Sequence, residues 1–169
     1  MKQTVSPWHI SISAEAFVAA QFARCGYDVS VQYGANQPEY DLIVVKGEKT
    51  LKVSVKGSQT GSWGIAQSYL KNAEYYKAIE SWLSHFKKRT VVCLVQFHKI
   101  SLNELPRMYL VTPSEVAQRL RDSANRRGAT ILYEKRKWSN RAAGAGTIDK
   151  IPQTWNFSPE RIEQLMDEA

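Results

Sequence analysis

The chain has 169 residues, 23 Lys and Arg against 16 Asp and Glu, and a net charge of +7. Hydrophobic residues make up 43%, which excludes a disordered chain and suffices for a core without disulfides or a structural metal. The longest apolar stretch, Val91 to Val95, is too short to cross a bilayer, and the N-terminal MKQTVSPWHISIS lacks the apolar run of a secretory leader, so a cytoplasmic protein with no membrane partner is expected.

Cys25 and Cys93 lie in apolar segments with no further cysteine to join them, so both are expected to be reduced core residues. Three scattered histidines and no Cys/His cluster argue against zinc.

Ser13 to Cys25 reads as a helix, with Ala14, Phe17, Val18, Phe22 and Cys25 on one stripe and Glu15 at its edge. Gly26 stops it. Tyr27 to Tyr33 alternates as a strand, Gly34 to Pro38 is a turn, and Tyr40 to Lys46 and Thr50 to Lys56 are two more strands. Gly47-Glu48 between them suits a two-residue type II′ turn. That turn pairs Lys46 with Lys49, sets Asp41 opposite Ser54, and puts Asp41, Ser54 and Lys56 on one face, away from Leu51, Val53 and Val55. A three-residue loop would instead bury Asp41 among the valines, at a large cost for a carboxylate.

Gly57 to Gly64 reads as a loop, and a long helix is expected from Ile65 to Phe86, with a stripe of Ile65, Tyr69, Ala73, Tyr76, Ile79, Leu83 and Phe86. Val91 to Phe97 is a continuous apolar run, as in a central strand covered on both faces. Arg107 to Val111 is a further strand. Thr112-Pro113-Ser114-Glu115 opens a helix with a capping box. Thr130 to Tyr133 is a short strand, and Glu134 to Trp155 an irregular basic segment. Ser158-Pro159 begins a terminal helix. The order is that of a mixed α/β sheet flanked by helices.

The charge is not spread evenly. Arg119, Arg121, Arg126, Arg127, Lys135, Arg136, Lys137 and Arg141 face only Asp122 and Glu134, so this window carries +6 of the +7. Clustered arginine and lysine suit a polyanion, through counterion release, although a solvated surface without a ligand has the same composition. Arg126, Arg127, Lys135, Arg136, Lys137 and Arg141 are the candidate nucleic-acid contacts, with Trp138 among them as a base-stacking side chain. Gly144-Ala145-Gly146 lacks the context of a dinucleotide site, and Gly57 to Gly61 has no phosphate-loop lysine.

Glu15, Asp41, Ser54 and Lys56 are the candidate catalytic set. At these residues, in PEYDLIVV and LKVSVKGSQ, the chain resembles the PD-(D/E)XK nuclease superfamily, and in pattern its small Holliday-junction-resolvase-like members. The resemblance spans about residues 11–97. It implies a restriction-endonuclease-like αβββαβ core with a C-terminal β/α extension over about 98–169, all in one domain. It also implies a metal-dependent DNA endonuclease using Mg²⁺ or Mn²⁺. Asp41 would then be a metal ligand, the Val55 carbonyl a second, and Glu15 a holder of water or of a second ion. Lys56 would meet the water and the scissile phosphate. Two carboxylates suit Mg²⁺, which keeps several waters, and a lysine offsets charge on the phosphate.

Ser54 departs from that pattern, since most active members carry Glu, Asp or Gln there. Some restriction enzymes with Ser-x-Lys take a carboxylate from the next helix. Here Glu74 falls opposite the apolar stripe and Glu80 far along the helix, while Gln59 would offer a neutral ligand. A nuclease-like domain that binds nucleic acid without cutting it, and a protein-interaction domain on the same fold, are the alternatives. A homodimer through Tyr75 and Trp82, on the outer side of the second helix, is one expected assembly.

Overall fold

A computed structural model describes residues 5–32 and 39–168. The expected turn from Gly34 to Pro38, and Tyr33 before it, lie outside the described residues.

Helix α1 spans Pro7–Arg24. It starts two turns earlier than the apolar stripe suggests, because Ser6 is its N-cap, with the side-chain oxygen accepting from His9 N–H, and Pro7 occupies the first turn. Strands β1 (Asp28–Val31), β2 (Leu42–Lys46) and β3 (Lys49–Ser58) follow as an antiparallel meander. Lys46 pairs with Lys49 across Gly47-Glu48, as the two-residue turn requires. Gly47 has φ +61° while Glu48 stays out of the left-handed region, the pattern of a type II′ turn.

Strand β4 (Ser62–Gly64), a short 3-10 turn at Gln67–Tyr69 and helix α2 (Tyr75–Leu83) replace the single long helix expected from 65 to 86. The break has a backbone cause. Asn72 and Ala73 have φ of 49° and 58°, a conformation that no right-handed helix passes through. Its buried face is Ala78, Ile79 and Trp82, and Tyr76 is exposed.

Strands β5 (Thr90–Gln96) and β6 (Arg107–Val111) complete the main sheet, in the order β1-β2-β3-β5-β6. Only β3 and β5 run parallel. Every residue of β5 is buried, as a central strand covered on both faces demands. Helix α3 (Pro113–Arg126) opens on the expected capping box between Thr112 and Glu115, and its right-handed turns end before Ser123, where a left-handed turn through Ala124 to Arg126 takes over. Short strands β7 (Ile131–Tyr133), β8 (Lys135–Lys137) and β9 (Ile148–Lys150) precede helix α4 (Pro159–Glu168). Strand β7 pairs with β4, and β8 with β9, in two small antiparallel sheets.

The chain is thus an α/β protein with four helices and a mixed five-stranded sheet in its described residues. One core lies under α1 and α4, where Ala14, Val18, Phe22, Ile162 and Leu165 meet Leu42, Val44, Val53 and Cys93. The other lies under α2 and α3, where Ile79, Trp82, Val116 and Leu120 meet Val92, Leu94 and Val111. Cys93 is buried and Cys25 half-buried, and both are free thiols. No helix among the described residues is long and apolar enough to cross a membrane.

Candidate active site

The site forms where β2 begins. The antiparallel pairing ends at Leu42 with Val53, and Asp41 stands just before it, off the ladder, with its N–H turned to β3 and its carbonyl to β1, so the expected pairing of Asp41 with Ser54 is not made. Asp41 N–H donates to the Val53 carbonyl at 2.8 Å, and the Asp41 carbonyl accepts from Gln32 N–H at 2.8 Å. Its side chain then does what the ended strand no longer can. Oδ2 accepts the backbone N–H of Val55 at 2.6 Å. On an antiparallel strand the N–H and C=O of one residue point to the same side. The Val55 carbonyl therefore lies on the edge that β2 has left, the same edge that carries the Asp41 carboxylate.

Ser54 is 2% exposed, deeper than an open sheet face suggests, because it sits beside Val92 in the parallel pairing with β5. Its hydroxyl has no hydrogen-bond partner among the described residues. Lys56, two residues on, is exposed. Trp63 on β4 donates its indole N–H to the Lys56 carbonyl at 2.9 Å and to the Val95 carbonyl at 3.3 Å, which clips the ends of β3 and β5 together.

Helix α1 reaches the site because of one glycine. A Cβ on Gly57 would stand 2.9 Å from Ala14 Cβ, Ile10 Cγ2 and the Ile10 carbonyl, so only glycine lets the helix lie this close on β3. Glu15 follows Ala14 and is half-buried. Burial raises its pKa above the usual carboxylate value, the charge of Asp41 raises it further, and Lys56 pulls it back. Glu15, Asp41 and Lys56 therefore share one electrostatic environment, although they come from three elements. A groove of ≈ 300 Å³ lies beside Lys56, lined also by Ser58, Gln59, Trp63, Pro7 and Ile10; Glu15 and Asp41 do not line it.

No group of three His, Cys, Asp or Glu side chains among the described residues could hold a metal by itself. The available donors are the Asp41 carboxylate, the Glu15 carboxylate, the Val55 carbonyl and the Ser54 hydroxyl. That all-oxygen set suits a hard divalent cation that keeps much of its water, and not a soft one. The other carboxylates and amides weighed for this role are engaged elsewhere. Glu74 pairs with Lys77, Glu80 with Arg121, and Gln59 Nε2 donates to the Val5 carbonyl. Glu39, two residues before Asp41, accepts from Thr90 Oγ1 at 3.1 Å and Lys87 N–H at 3.3 Å, and so anchors the start of β5.

The basic segment is more ordered than its sequence suggests. Arg119 and Arg121 are neutralised by Asp149 and Glu80. Arg126, Arg127, Lys135, Lys137 and Arg141 are exposed and Arg136 is half-buried. Trp138 needs a correction as a stacking platform. It is 6% exposed, and its indole N–H donates to Asp149 Oδ2 at 2.7 Å. A tryptophan flanked by charges reads as exposed, yet strand alternation turns it inward. The aromatic dimer face on α2 is corrected likewise, since Trp82 is 6% exposed against Phe86 and Tyr75 lies under Arg127.

Sequence reasoning missed Gly57, Trp63 and Asp149. Gly57 carried a signal, as a glycine inside a strand marks a close backbone approach. Trp63 and Asp149 act through contacts between distant segments, which no local pattern announces. No protein-family model matches the chain, and no curated protein matches it in sequence.

Proposed function

We propose that this chain is a metal-dependent DNA endonuclease with a restriction-endonuclease-like core, of the PD-(D/E)XK type. The observation that carries the reading is the edge of β3 at Val55, where a carboxylate bound to the Val55 N–H and a strand-free Val55 carbonyl face the same way. The order of α1, the three-stranded meander, α2 and β5 supports it, as does the grouping of Glu15 and Lys56 with Asp41.

A Mg²⁺ or Mn²⁺ ion held by Asp41, the Val55 carbonyl and Glu15 would supply Lewis acidity to the phosphate and a lowered pKa to water. The chain's own residues do the rest. Lys56 places an ammonium beside a nonbridging phosphate oxygen and offsets the charge that grows there. Glu15, on the helix packed against β3, orients the attacking water. Asp41 is fixed by β3, so it need not reorganise when substrate arrives. The nearly buried, unpartnered Ser54 hydroxyl is a neutral fourth donor.

The test is cleavage of linear, branched and single-stranded DNA with Mg²⁺ and Mn²⁺, wild type beside Asp41→Asn. Cutting by wild type that the variant loses is the expected result. Absence of cutting, or equal cutting by both, overturns the reading. Ser54 favours a second reading, a domain of the same build that binds nucleic acid without hydrolysing it. Tight binding with no cleavage under either metal would select that one.

A further inference from the structure

Four arginines of the described chain meet a carboxylate. Arg107 binds Glu134, Arg119 binds Asp149, Arg121 binds Glu80 and Arg161 binds Glu115. Arg127 and Arg136 do not. Instead both lie over one buried ring. The Arg136 guanidinium is 4.1 Å from the Trp138 ring centre and 4.3 Å from that of Tyr133. The Arg127 guanidinium is 5.5 Å from the Trp138 ring centre and 4.7 Å from that of Tyr75. Arg127 spends only its Nε–H, on the Gly128 carbonyl.

This crowding of like charge is built, not incidental. Asp149, 7% exposed, gathers Arg119 Nη2 at 2.7 Å, the Trp138 indole at 2.7 Å and the Ala124 N–H at 3.2 Å. Burial alone would raise its pKa, but these donors hold it below the usual value. The Ala124 contact secures a strained turn. Ala124, Asn125 and Arg126 stand in succession at φ of 55°, 56° and 67°, each at about 1–2 kcal/mol for an L-residue. A Cβ on Gly144 would sit 2.7 Å from Ala124 Cα and 2.8 Å from Trp138 Cγ, so a glycine lets the turn rest on the ring. Strain of this kind persists only where its surroundings over-determine it.

We infer that Arg127 and Arg136, stacked on Trp138, form a preorganised clamp for the phosphodiester backbone of DNA, with Trp138 as a positioning residue. Stacking occupies the faces of the guanidiniums and leaves their in-plane N–H donors for a bidentate oxyanion. An anion would also relieve the repulsion between two arginines that pair with no carboxylate among the described residues. Lys135 and Lys137, exposed on the same hairpin, extend the positive surface. The clamp continues toward the candidate active site: β8 follows β7, β7 pairs with β4, and Trp63 of β4 holds the Lys56 carbonyl. The inference rests on nucleic acid being the partner, as proposed above, but not on cleavage.

The experiment measures binding of a labelled DNA duplex in EDTA across a KCl series, so that no cutting enters. Arg127→Ala/Arg136→Ala should lower affinity about tenfold or more and reduce the slope of log K against log salt by about 1–2. Arg127→Lys/Arg136→Lys keeps the charge but not the fork, and should still bind several-fold more weakly than wild type. Trp138→Leu should reduce the slope with both arginines present, and Trp138→Phe should restore part of it. Thermal melts verify that the surface variants stay folded. Wild-type affinity and slope in the double alanine variant overturn the clamp. So does wild-type affinity in the double lysine variant, which would leave a plain charged patch. Failure of wild type to bind the duplex overturns it too, and binding only to phosphatidylserine vesicles would assign the surface to lipid instead. Absence of cleavage in Mg²⁺ with the salt behaviour intact would sink the nuclease reading alone.

Discussion

The Asp41 carboxylate takes the place of a missing strand for Val55, accepting its backbone N–H at 2.6 Å where β2 has not yet begun. One side chain therefore has two separable duties, a structural bond and a charge. Asp41→Asn retains an acceptor and should keep most of the stability while cleavage falls about 10²-fold or more. Asp41→Ala strips the Val55 N–H of its partner and should lose about 1–3 kcal/mol as well. Urea titrations of the two variants, beside the cleavage assay, separate the duties.

Glu15 pits activity against stability. Its folded pKa is raised by burial first and by Asp41 second. A carboxyl with a raised folded pKa contributes stability below its unfolded pKa, and that contribution is lost as pH rises through the folded value. Glu15→Gln should therefore melt higher than wild type at pH 7, on the order of 1 °C given partial solvent screening, and match it near pH 4. The same variant should lose cleavage.

Ser54 invites a gain of metal affinity. It is 2% exposed and lies between Val53 and Val55, the two residues whose backbones Asp41 binds, so Ser54→Asp would bury a second carboxylate close to the first. In EDTA the variant should melt below wild type, through repulsion and desolvation. Added Mg²⁺ should raise its melting temperature by more than it raises that of wild type. An equal response in both would show that position 54 does not face the cation.

Gly57→Ala tests how α1 is seated. The added methyl would stand 2.9 Å from Ala14 and Ile10, with backbone among the atoms it meets. Overpacking of this kind costs about 1–3 kcal/mol. Because Glu15 rides on the displaced helix, cleavage should fall as well, with DNA binding in EDTA nearly unchanged.

A half-buried acid ties the basic segment to β6. Glu134 accepts two hydrogen bonds from Arg107, at 2.7 Å and 2.9 Å, and one from Tyr109 at 2.6 Å. Burial would raise its pKa, but these donors bring it below the usual value. Its stabilising contribution is present above the unfolded pKa and is lost as pH falls through the lowered folded one. Tyr109→Phe should cost about 1.5–3 kcal/mol at neutral pH, as for a hydrogen bond to a charged group. Glu134→Gln should flatten the acid side of the stability profile.

Much of the site was legible because it depends on near neighbours. A glycine-first two-residue turn sets the register of β2 on β3 as far as Leu42 on Val53, and strand alternation puts Ser54 and Lys56 on one face of β3. The region from 65 to 86 misled for an equally local reason. A 3.6-residue stripe survives interruption by two left-handed residues, since hydrophobic spacing carries no record of φ. Ser6-Pro7 marks the start of α1 by its capping chemistry, ahead of an apolar stripe that begins only at Ala14. Trp138 and Asp149 form one buried unit across 11 positions of an irregular segment, where composition speaks only of charge.

The pairing of β4 with β7 sets a timetable for synthesis. Trp63, which grips the end of β3, belongs to a strand whose partner is residues 131–133. Helix α4, which roofs the core containing Phe22 and Val44, is made last of the described elements. A growing chain therefore displays Glu15, Asp41 and Lys56 long before the segments that seat them exist. Long-range closures of this sort form late. A nascent chain that stops short of residue 159 would carry Glu15, Asp41 and Lys56 without all of the elements that close the cores around them.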